Sequence, residues 1–291
     1  MALENLQHAT YEMLFDRTRR TQFFEGTYDL GAAHGLTEAE VQQIRNTGFT
    51  SFSRHGNDRV RRMPQAFPVA ARIMAHYFND PIEIKFLFGE SEIFKRHVND
   101  CDTRFEDIYF RFLLQAADDH RQFDFPAFKQ ILRFEHAKWR LESAKLDESR
   151  MTGERTQQEI AEYPQGQRWL LSDRAVLFES DVDVVDILSH MMNYVNEADA
   201  PHVTGMWLKK RQQQGEMHQP LYLVLRRDAK KQIRQFRIGQ SEFTVLQSIG
   251  TAARTIAEVA EETGLPLERV TEIAAAFLRA EIIRDEAERL V

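Results

Sequence analysis

The chain has 291 residues, enough for two domains, because a single hydrophobic core rarely serves more than about 200 residues. A hydrophobic content of 43% and a charged content of 29% are typical of a globular protein, and no apolar run approaches the roughly 20 residues of a membrane span. The single cysteine, Cys101, excludes an internal disulfide and a metal site made of several cysteines. The first residues lack the features of a secretory signal, so we expect a cytoplasmic protein.

The first half of the chain, residues 1–142, predicts an all-helical domain. Thr37 and Glu40 form a capping-box pattern at the start of a helix that should end near Gly48. A later helix is indicated by apolar residues at helical spacing on one face: Phe105, Ile108, Tyr109, Phe112, Leu113 and Ala116.

The sequence then changes character. Residues 143–168 are polar and predict a connection, which gives domain bounds of 1–150 and 165–291. Three β-like runs follow, the last two joined by a hairpin turn: Arg174–Glu179, Leu221–Arg226 and Gln232–Ile238. Three short helices come next, at about 241–249, 255–263 and 266–280. The prediction is an α+β fold, with an all-helical N-terminal domain followed by a small winged-helix-like domain containing a β-sheet and three helices.

Motifs of catalysis are missing from the sequence. The ten histidines show no His-x-x-x-His or His-Glu-x-x-His spacing, and the one helical pair of ligand type, His97 with Cys101, is too few for a zinc site. Nucleotide-binding glycine loops and the Gly-x-Ser-x-Gly elbow are also absent. We therefore predict a protein without catalytic or metal-binding residues of its own. A lone enzyme with scattered catalytic groups is the last alternative.

One acidic residue, Glu135, falls on the apolar face of the helix predicted at Pro126–Glu142. A buried carboxylate costs several kcal/mol unless it is paired. We favour a structural ion pair with Arg59 or Arg62. A place at a partner interface is the alternative.

The charge is unevenly distributed. The chain carries a net charge of −7, but segment 206–240 carries +7 from nine basic and two acidic residues. Its basic residues are Lys209, Lys210, Arg211, Arg226, Arg227, Lys230, Lys231, Arg234 and Arg237. Such a segment predicts an anionic partner. A solvated edge strand protected from aggregation by its cations is the alternative without a partner.

Nucleic acid is one anionic partner that winged helices bind, which leaves a DNA-binding regulator as an alternative function. The helix that would enter a groove, Pro266–Ala280, balances two glutamates against two arginines and so offers no net charge to phosphates. An acidic peptide, added as an extra strand at the sheet edge, fits this charge distribution better. We therefore predict no nucleic-acid partner.

Several segments resemble one protein family. Phe49–Asn57, Gln65–Ala71 and Ile131–Trp139 resemble successive helices in the partner proteins of multinuclear non-haem iron oxidative (MNIO) enzymes. Phe178–Leu188 and Leu221–Ile249 resemble later segments of those proteins. The family includes the partner proteins of methanobactin and 3-thiaglutamate biosynthesis and the HvfC-type proteins.

The resemblance implies a function. Such partners form a heterodimer with the iron enzyme and bind the leader of a ribosomally made precursor peptide through a RiPP recognition element. The enzyme then oxidatively modifies a core cysteine, and the iron belongs to the enzyme, so this chain would hold no cofactor. The chain length favours the 3-thiaglutamate pathway within the family.

The resemblance also implies where the leader binds. It would lie along the strand Gln232–Ile238 and against the third helix of the C-terminal domain. The peptide-binding residues would be Gln232, Arg234, Phe236, Arg237, Ile238, Arg269, Ile273 and Phe277. Arg234 and Arg237 would neutralise leader carboxylates, while Ile273 and Phe277 would line an apolar groove unless they fill the core of their own domain.

Overall fold

Helices and small antiparallel sheets build the protein, which has the predicted α+β fold. The computed structural model describes residues 2–78, 87–89, 91–97, 104–119, 123, 125–144, 166–192 and 200–286. The predicted connection at 143–168 lies mostly outside these residues.

The chain divides into two compact units. Unit 1 contains residues 1–136 and 188–209, and unit 2 contains residues 137–187 and 210–291. Three helices extend across this division: α9 (Phe128–Ser143), α10 (Val184–Met192) and α11 (Ala200–Gln213). The sequence alone gives no sign that residues 188–209 belong with the helical half, because their helical pattern fits either unit.

Unit 1 is helical throughout its described part. Its remaining helices are α1 (Ala2–Phe15), α2 (Arg17–Phe24), α3 (Leu30–His34), α4 (Glu38–Thr47), α5 (Phe49–Ala66), α6 (Pro68–Phe78), α7 (Glu92–His97) and α8 (Phe105–Asp119). The predicted capping box at the start of α4 is confirmed, since Thr37 and Glu40 each accept a hydrogen bond from the other's backbone amide. The predicted end is also confirmed, because Gly48 is the C-cap residue.

Aromatic side chains fill part of the core of unit 1. The fully buried ring of Phe88 lies within 5.0–5.4 Å of four other rings, namely those of Phe94, Phe105, Tyr109 and Phe112. The apolar stripe predicted for α8 is confirmed, since all six of its residues are buried. Aromatic rings at these separations contribute both buried area and favourable ring geometry.

Helices α1 and α5 approach each other unusually closely. A Cβ atom added to Gly56 in α5 would lie 2.1 Å from the carbonyl oxygen of Leu14 in α1. The same carbonyl accepts a hydrogen bond of 3.0 Å from the buried guanidinium of Arg20, which also donates to Met13 at 2.8 Å. Arg20 therefore satisfies carbonyls at the C-terminal end of α1 that the helix itself leaves unpaired.

Unit 2 contains the strands. They are β1 (Trp169–Leu171), β2 (Ala175–Ser180), β3 (Leu221–Arg227), β4 (Ile233–Ile238) and β5 (Ile283–Asp285). A three-stranded antiparallel sheet has the order β2-β3-β4, and a two-stranded sheet pairs β1 with β5. The three helices predicted after the hairpin are confirmed as α12 (Gln240–Thr251), α13 (Ile256–Thr263) and α14 (Leu267–Arg279).

The core of unit 2 lies between the three helices and one face of the sheet. Val224 of β3, Leu246 of α12 and Phe277 of α14 belong to one buried cluster. Gly264 ends α13 in the left-handed conformation, which glycine adopts readily. The start of α14 differs slightly from the prediction, because Pro266 is the N-cap residue and the helix begins one residue later.

Candidate functional site

Strand β4 forms one edge of the three-stranded sheet of unit 2. Asp228 donates its backbone N–H to the carbonyl of Gln232 at 2.9 Å, which fixes the hydrogen-bonded positions of the β3–β4 hairpin. Hydrogen-bonded and non-hydrogen-bonded residue pairs alternate along two antiparallel strands. Ile233, Gln235 and Arg237 belong to non-hydrogen-bonded pairs, so their N–H and C=O groups point away from β3. Within the described residues, no strand pairs with this edge.

The two faces of β4 differ in chemistry. Phe236 and Ile238 are half-buried and pack against the core cluster beneath the three helices. Gln235 and Arg237 are exposed on the opposite face. The register pairs Phe236 with the buried Val224, so this face of β4 points toward the core.

Arg234 already has a carboxylate partner within its own hairpin. Its Nε lies 3.0 Å from Oδ2 of Asp228. Asp228 also accepts backbone hydrogen bonds of 2.9 Å from Lys230 and Gln232. The amide of Gln232, together with Arg234 and the amide of Lys230, stabilises the carboxylate and lowers the pKa of Asp228. Asp228 therefore holds together the turn that presents β4.

The pKa of Asp228 predicts a loss of stability in acid. A carboxylate with a lowered folded-state pKa contributes fully above its unfolded pKa of about 3.9, and this contribution disappears as the pH falls through the folded value. We expect Asp228→Asn to lower the urea midpoint at pH 7 and to differ little from the parent near pH 2. Urea unfolding of both proteins across this range measures the difference. A difference that stays constant with pH would contradict the role given to the carboxylate.

Arg237 also has an internal partner, on a different element. Its Nη1 lies 2.7 Å from Oδ2 of Asp183, and its Nη2 lies 3.1 Å from Oδ1. Asp183 immediately precedes α10 and accepts a hydrogen bond of 3.0 Å from the amide of Asp186. Neither aspartate was predicted as a partner of the edge arginines. The signal for Asp183 was an aspartate directly before a helical apolar run, a common N-cap pattern.

The structure separates the remaining predicted peptide-binding residues into two groups. Gln232 and Arg269 are exposed, and Gln232 lies at the turn. The Nη1 atom of Arg269 lies 3.1 Å from Oε2 of Glu272, and its Nη2 atom lies 3.8 Å from Oε1 of Glu242. Ile273 and Phe277 are buried in the core of unit 2, with 3% and 8% of their surfaces exposed. Their burial agrees with the core alternative that the sequence left open, and their part in peptide binding stays a prediction.

Internal pairing reduces the free charge of the basic segment. The Nη1 atom of Arg211 lies 2.9 Å from Oδ2 of Asp186, and Arg226 forms an ion pair with Glu281. Arg227 donates to the carbonyls of Leu141 and Ala144 at 3.1 and 2.9 Å. The local excess of cations is therefore partly neutralised by carboxylates that are distant in the sequence.

Two segments that carry the family resemblance contact each other in unit 1. Glu135 is 6% exposed and accepts hydrogen bonds from the backbone amides of Val69 and Ala70 at 2.9 and 2.8 Å. Its carboxylate thus caps the first turn of α6, where unpaired amides and the helix dipole favour an anion. The ring of His136 lies 6.0 Å from that of Phe67. The predicted partners of Glu135, Arg59 and Arg62, have side chains outside the described part.

A cavity of about 400 Å³ opens in unit 1 between α1, α4 and α5. It is lined by Leu6, Thr10, Leu14, Gln43, Ile44, Thr47, Phe52 and His55. The lining contains no Asp, Glu, Lys or Arg, so the cavity suits an uncharged, mainly apolar group. The cavity has no signature in the sequence, because its lining residues come from three separate helices.

The described residues bring no three His, Cys, Asp or Glu side chains together in a group that could hold a metal ion. Cys101, the cysteine of the predicted helical pair with His97, lies outside these residues. None of the helices in the described part combines the length and the hydrophobicity that a membrane span requires.

A comparison with models of known protein families and with curated proteins finds no match to this chain. The family resemblance is therefore supported by the sequence segments alone. Membership of that family, the iron enzyme as a partner and the peptide substrate stay predictions.

Proposed function

We propose that this chain is a non-catalytic partner subunit that binds the leader of a ribosomally made precursor peptide and presents it to an iron-dependent oxidative enzyme. The observation that carries the proposal is the free edge of β4, with the outward N–H and C=O groups of Ile233, Gln235 and Arg237. An extended peptide that pairs with such an edge gains backbone hydrogen bonds whatever its sequence. Its side chains then supply the specificity.

The charge of the edge favours an acidic peptide over a second copy of the chain. Arg234 and Arg237 are 62% and 57% exposed, and Lys230 and Lys231 are exposed at the adjoining turn. Two such edges would repel each other, a common way in which proteins prevent edge-to-edge pairing. An acidic strand would instead be attracted.

The two faces of β4 define the pattern of the peptide. Side chains of an added strand alternate between the two faces of the sheet. Those on the helix-covered face would lie beside Phe236 and Ile238, and those on the opposite face would lie beside Arg237. The leader should therefore alternate apolar and acidic residues over the bound segment.

The enzymatic part of the proposal comes from the family resemblance. In this proposal the iron and the oxidation of a core cysteine belong to the partner enzyme, in a heterodimer with this chain. Among the partner proteins of this family, we favour the one that acts in the 3-thiaglutamate pathway.

Titration calorimetry tests the proposal with the full chain and a synthetic candidate precursor peptide, chosen from short reading frames near the gene for a leader that alternates apolar and acidic residues. We expect micromolar or tighter binding, weakened about tenfold or more in the double variant Arg234→Glu/Arg237→Glu, because each reversal replaces attraction by repulsion. The double variant Arg54→Glu/Arg72→Glu makes the same change in net charge at exposed positions of unit 1. This control should bind like the parent.

Absence of binding, with and without the neighbouring iron enzyme, would overturn the proposal. Equal weakening in the control would assign the effect to net charge and not to the edge of β4. Strongly salt-dependent binding of duplex DNA by the same protein would favour the alternative of a winged-helix regulator.

A further inference from the structure

The two arginines of the β4 edge differ in how their guanidinium groups are used. Asp183 holds Arg237 with both carboxylate oxygens, one on each terminal nitrogen, at 2.7 and 3.1 Å. Asp228 touches Arg234 through Nε alone, at 3.0 Å. Within the described residues, the terminal nitrogens of Arg234 have no hydrogen-bond acceptor, so this guanidinium offers donors without first losing a partner.

The two terminal nitrogens of Arg237 form a fork that is a complete binding site for one carboxylate. Paired N–H groups of a guanidinium match the two oxygens of a carboxylate in spacing and charge. An amide or hydroxyl side chain satisfies the fork less well, since it lacks the charge and the second equivalent oxygen. The group now in this site is Asp183 of the same chain, from the segment before α10.

We infer that Asp183 is an internal stand-in for a peptide carboxylate, which an aspartate or glutamate of the bound peptide replaces at Arg237. This inference rests on the proposed function. On an added strand, a side chain opposite Arg237 would have its Cβ about 4.5–5.5 Å from that of Arg237, within reach of the long guanidinium side chain. Arg237 is 57% exposed, so its guanidinium can reach the peptide once Asp183 is replaced.

The release of Asp183 leaves its carboxylate with one of its hydrogen bonds. Its Oδ1 still accepts the hydrogen bond from the amide of Asp186 at the start of α10. The exchange therefore replaces an ion pair between the exposed Arg237 and the 14% exposed side chain of Asp183 with an ion pair to the peptide. Only a peptide with a carboxylate at this position recovers the lost pair, so the exchange selects acidic peptides over neutral ones of the same shape.

Removing the internal carboxylate provides the test. In Asp183→Asn, the asparagine still suits the N-cap position, but it competes less well for Arg237 because its amide carries no charge. We expect the precursor peptide to bind about two- to fivefold more tightly, the contribution of an ion pair at the protein surface. Tightening should disappear on an Arg237→Gln background and with a peptide whose Asp and Glu residues are replaced by Asn and Gln. Titration calorimetry of the full chain measures each case.

The matched control is Asp186→Asn, which removes one carboxylate three residues from Asp183 that pairs with Arg211 and not with an edge arginine. It should not tighten binding, because it leaves the partner of Arg237 in place. Equal tightening in this control would overturn the inference in favour of a general charge effect. Unchanged or weaker binding in Asp183→Asn, with the parent binding normally, would overturn it while leaving the proposed function intact. Binding by none of these proteins would overturn both.

Discussion

Gly56→Ala should lower the free energy of unfolding by about 3 kcal/mol, at the upper end of the cost of overpacking a core. The added methyl group would lie 2.1 Å from the carbonyl oxygen of Leu14, so α1 and α5 would have to separate. The carbonyl cannot easily turn aside, because Arg20 donates a hydrogen bond to it. Urea unfolding followed by circular dichroism measures the change.

Gly250→Ala is the matched control, because it makes the same substitution within a helix of unit 2. Its added methyl group would be 3.8 Å from the nearest atom, in the side chain of Leu171, an ordinary contact. Alanine is the better helix former, so we expect a gain of about 0.5–1 kcal/mol. Opposite signs for the two variants would confirm the close approach. A loss of less than about 0.5 kcal/mol in Gly56→Ala would show that the two helices can move apart freely.

Glu135→Ala is the second substitution with a large expected effect, a loss of about 3 kcal/mol. It would leave the buried amides of Val69 and Ala70 without their charged acceptor, and such hydrogen bonds contribute about 1.5–3 kcal/mol each. Glu135→Gln keeps one acceptor oxygen and should cost less. Thermal and urea unfolding of both variants measure the order of these effects.

Glu142→Ala is the control in the same helix, since Glu142 is exposed near the end of α9. A change within about 0.5 kcal/mol is expected for this surface position. Equal stability of Glu135→Ala and Glu142→Ala would contradict the capping role. Equal losses in Glu135→Ala and Glu135→Gln would instead show that the negative charge, rather than the number of acceptors, stabilises α6.

Elements with strong local signals were predictable from the sequence. The capping box at Thr37, the hairpin around Asp228 and the glycine that ends α13 at Gly264 each depend on residues within five positions of one another. Hydrophobic periodicity likewise predicted α8, because one helix face meets the core at every turn. Such features predicted the fold class and, to within two residues, the bounds of β2, β3, β4, α12, α13 and α14.

The partners of the charged site residues were not predictable in the same way. Asp183 is 54 positions away from Arg237, and no local rule relates the two. Glu135 was expected to be buried, yet the partners that the structure describes are backbone amides 65 and 66 positions away, which carry no signature in the sequence. Ion pairing and capping across a fold depend on which surfaces meet, and a helical or strand pattern specifies only its own faces.

The pairing of β1 with β5 joins residues near opposite ends of unit 2, while β3 and β4 are neighbours in the chain. Contacts between distant residues form slowly, because closing a long loop costs entropy before the contact repays it. During synthesis the β3–β4 hairpin can form before β5 has left the ribosome. The edge strand of the proposed site can thus form early, before β5 is able to pair with β1.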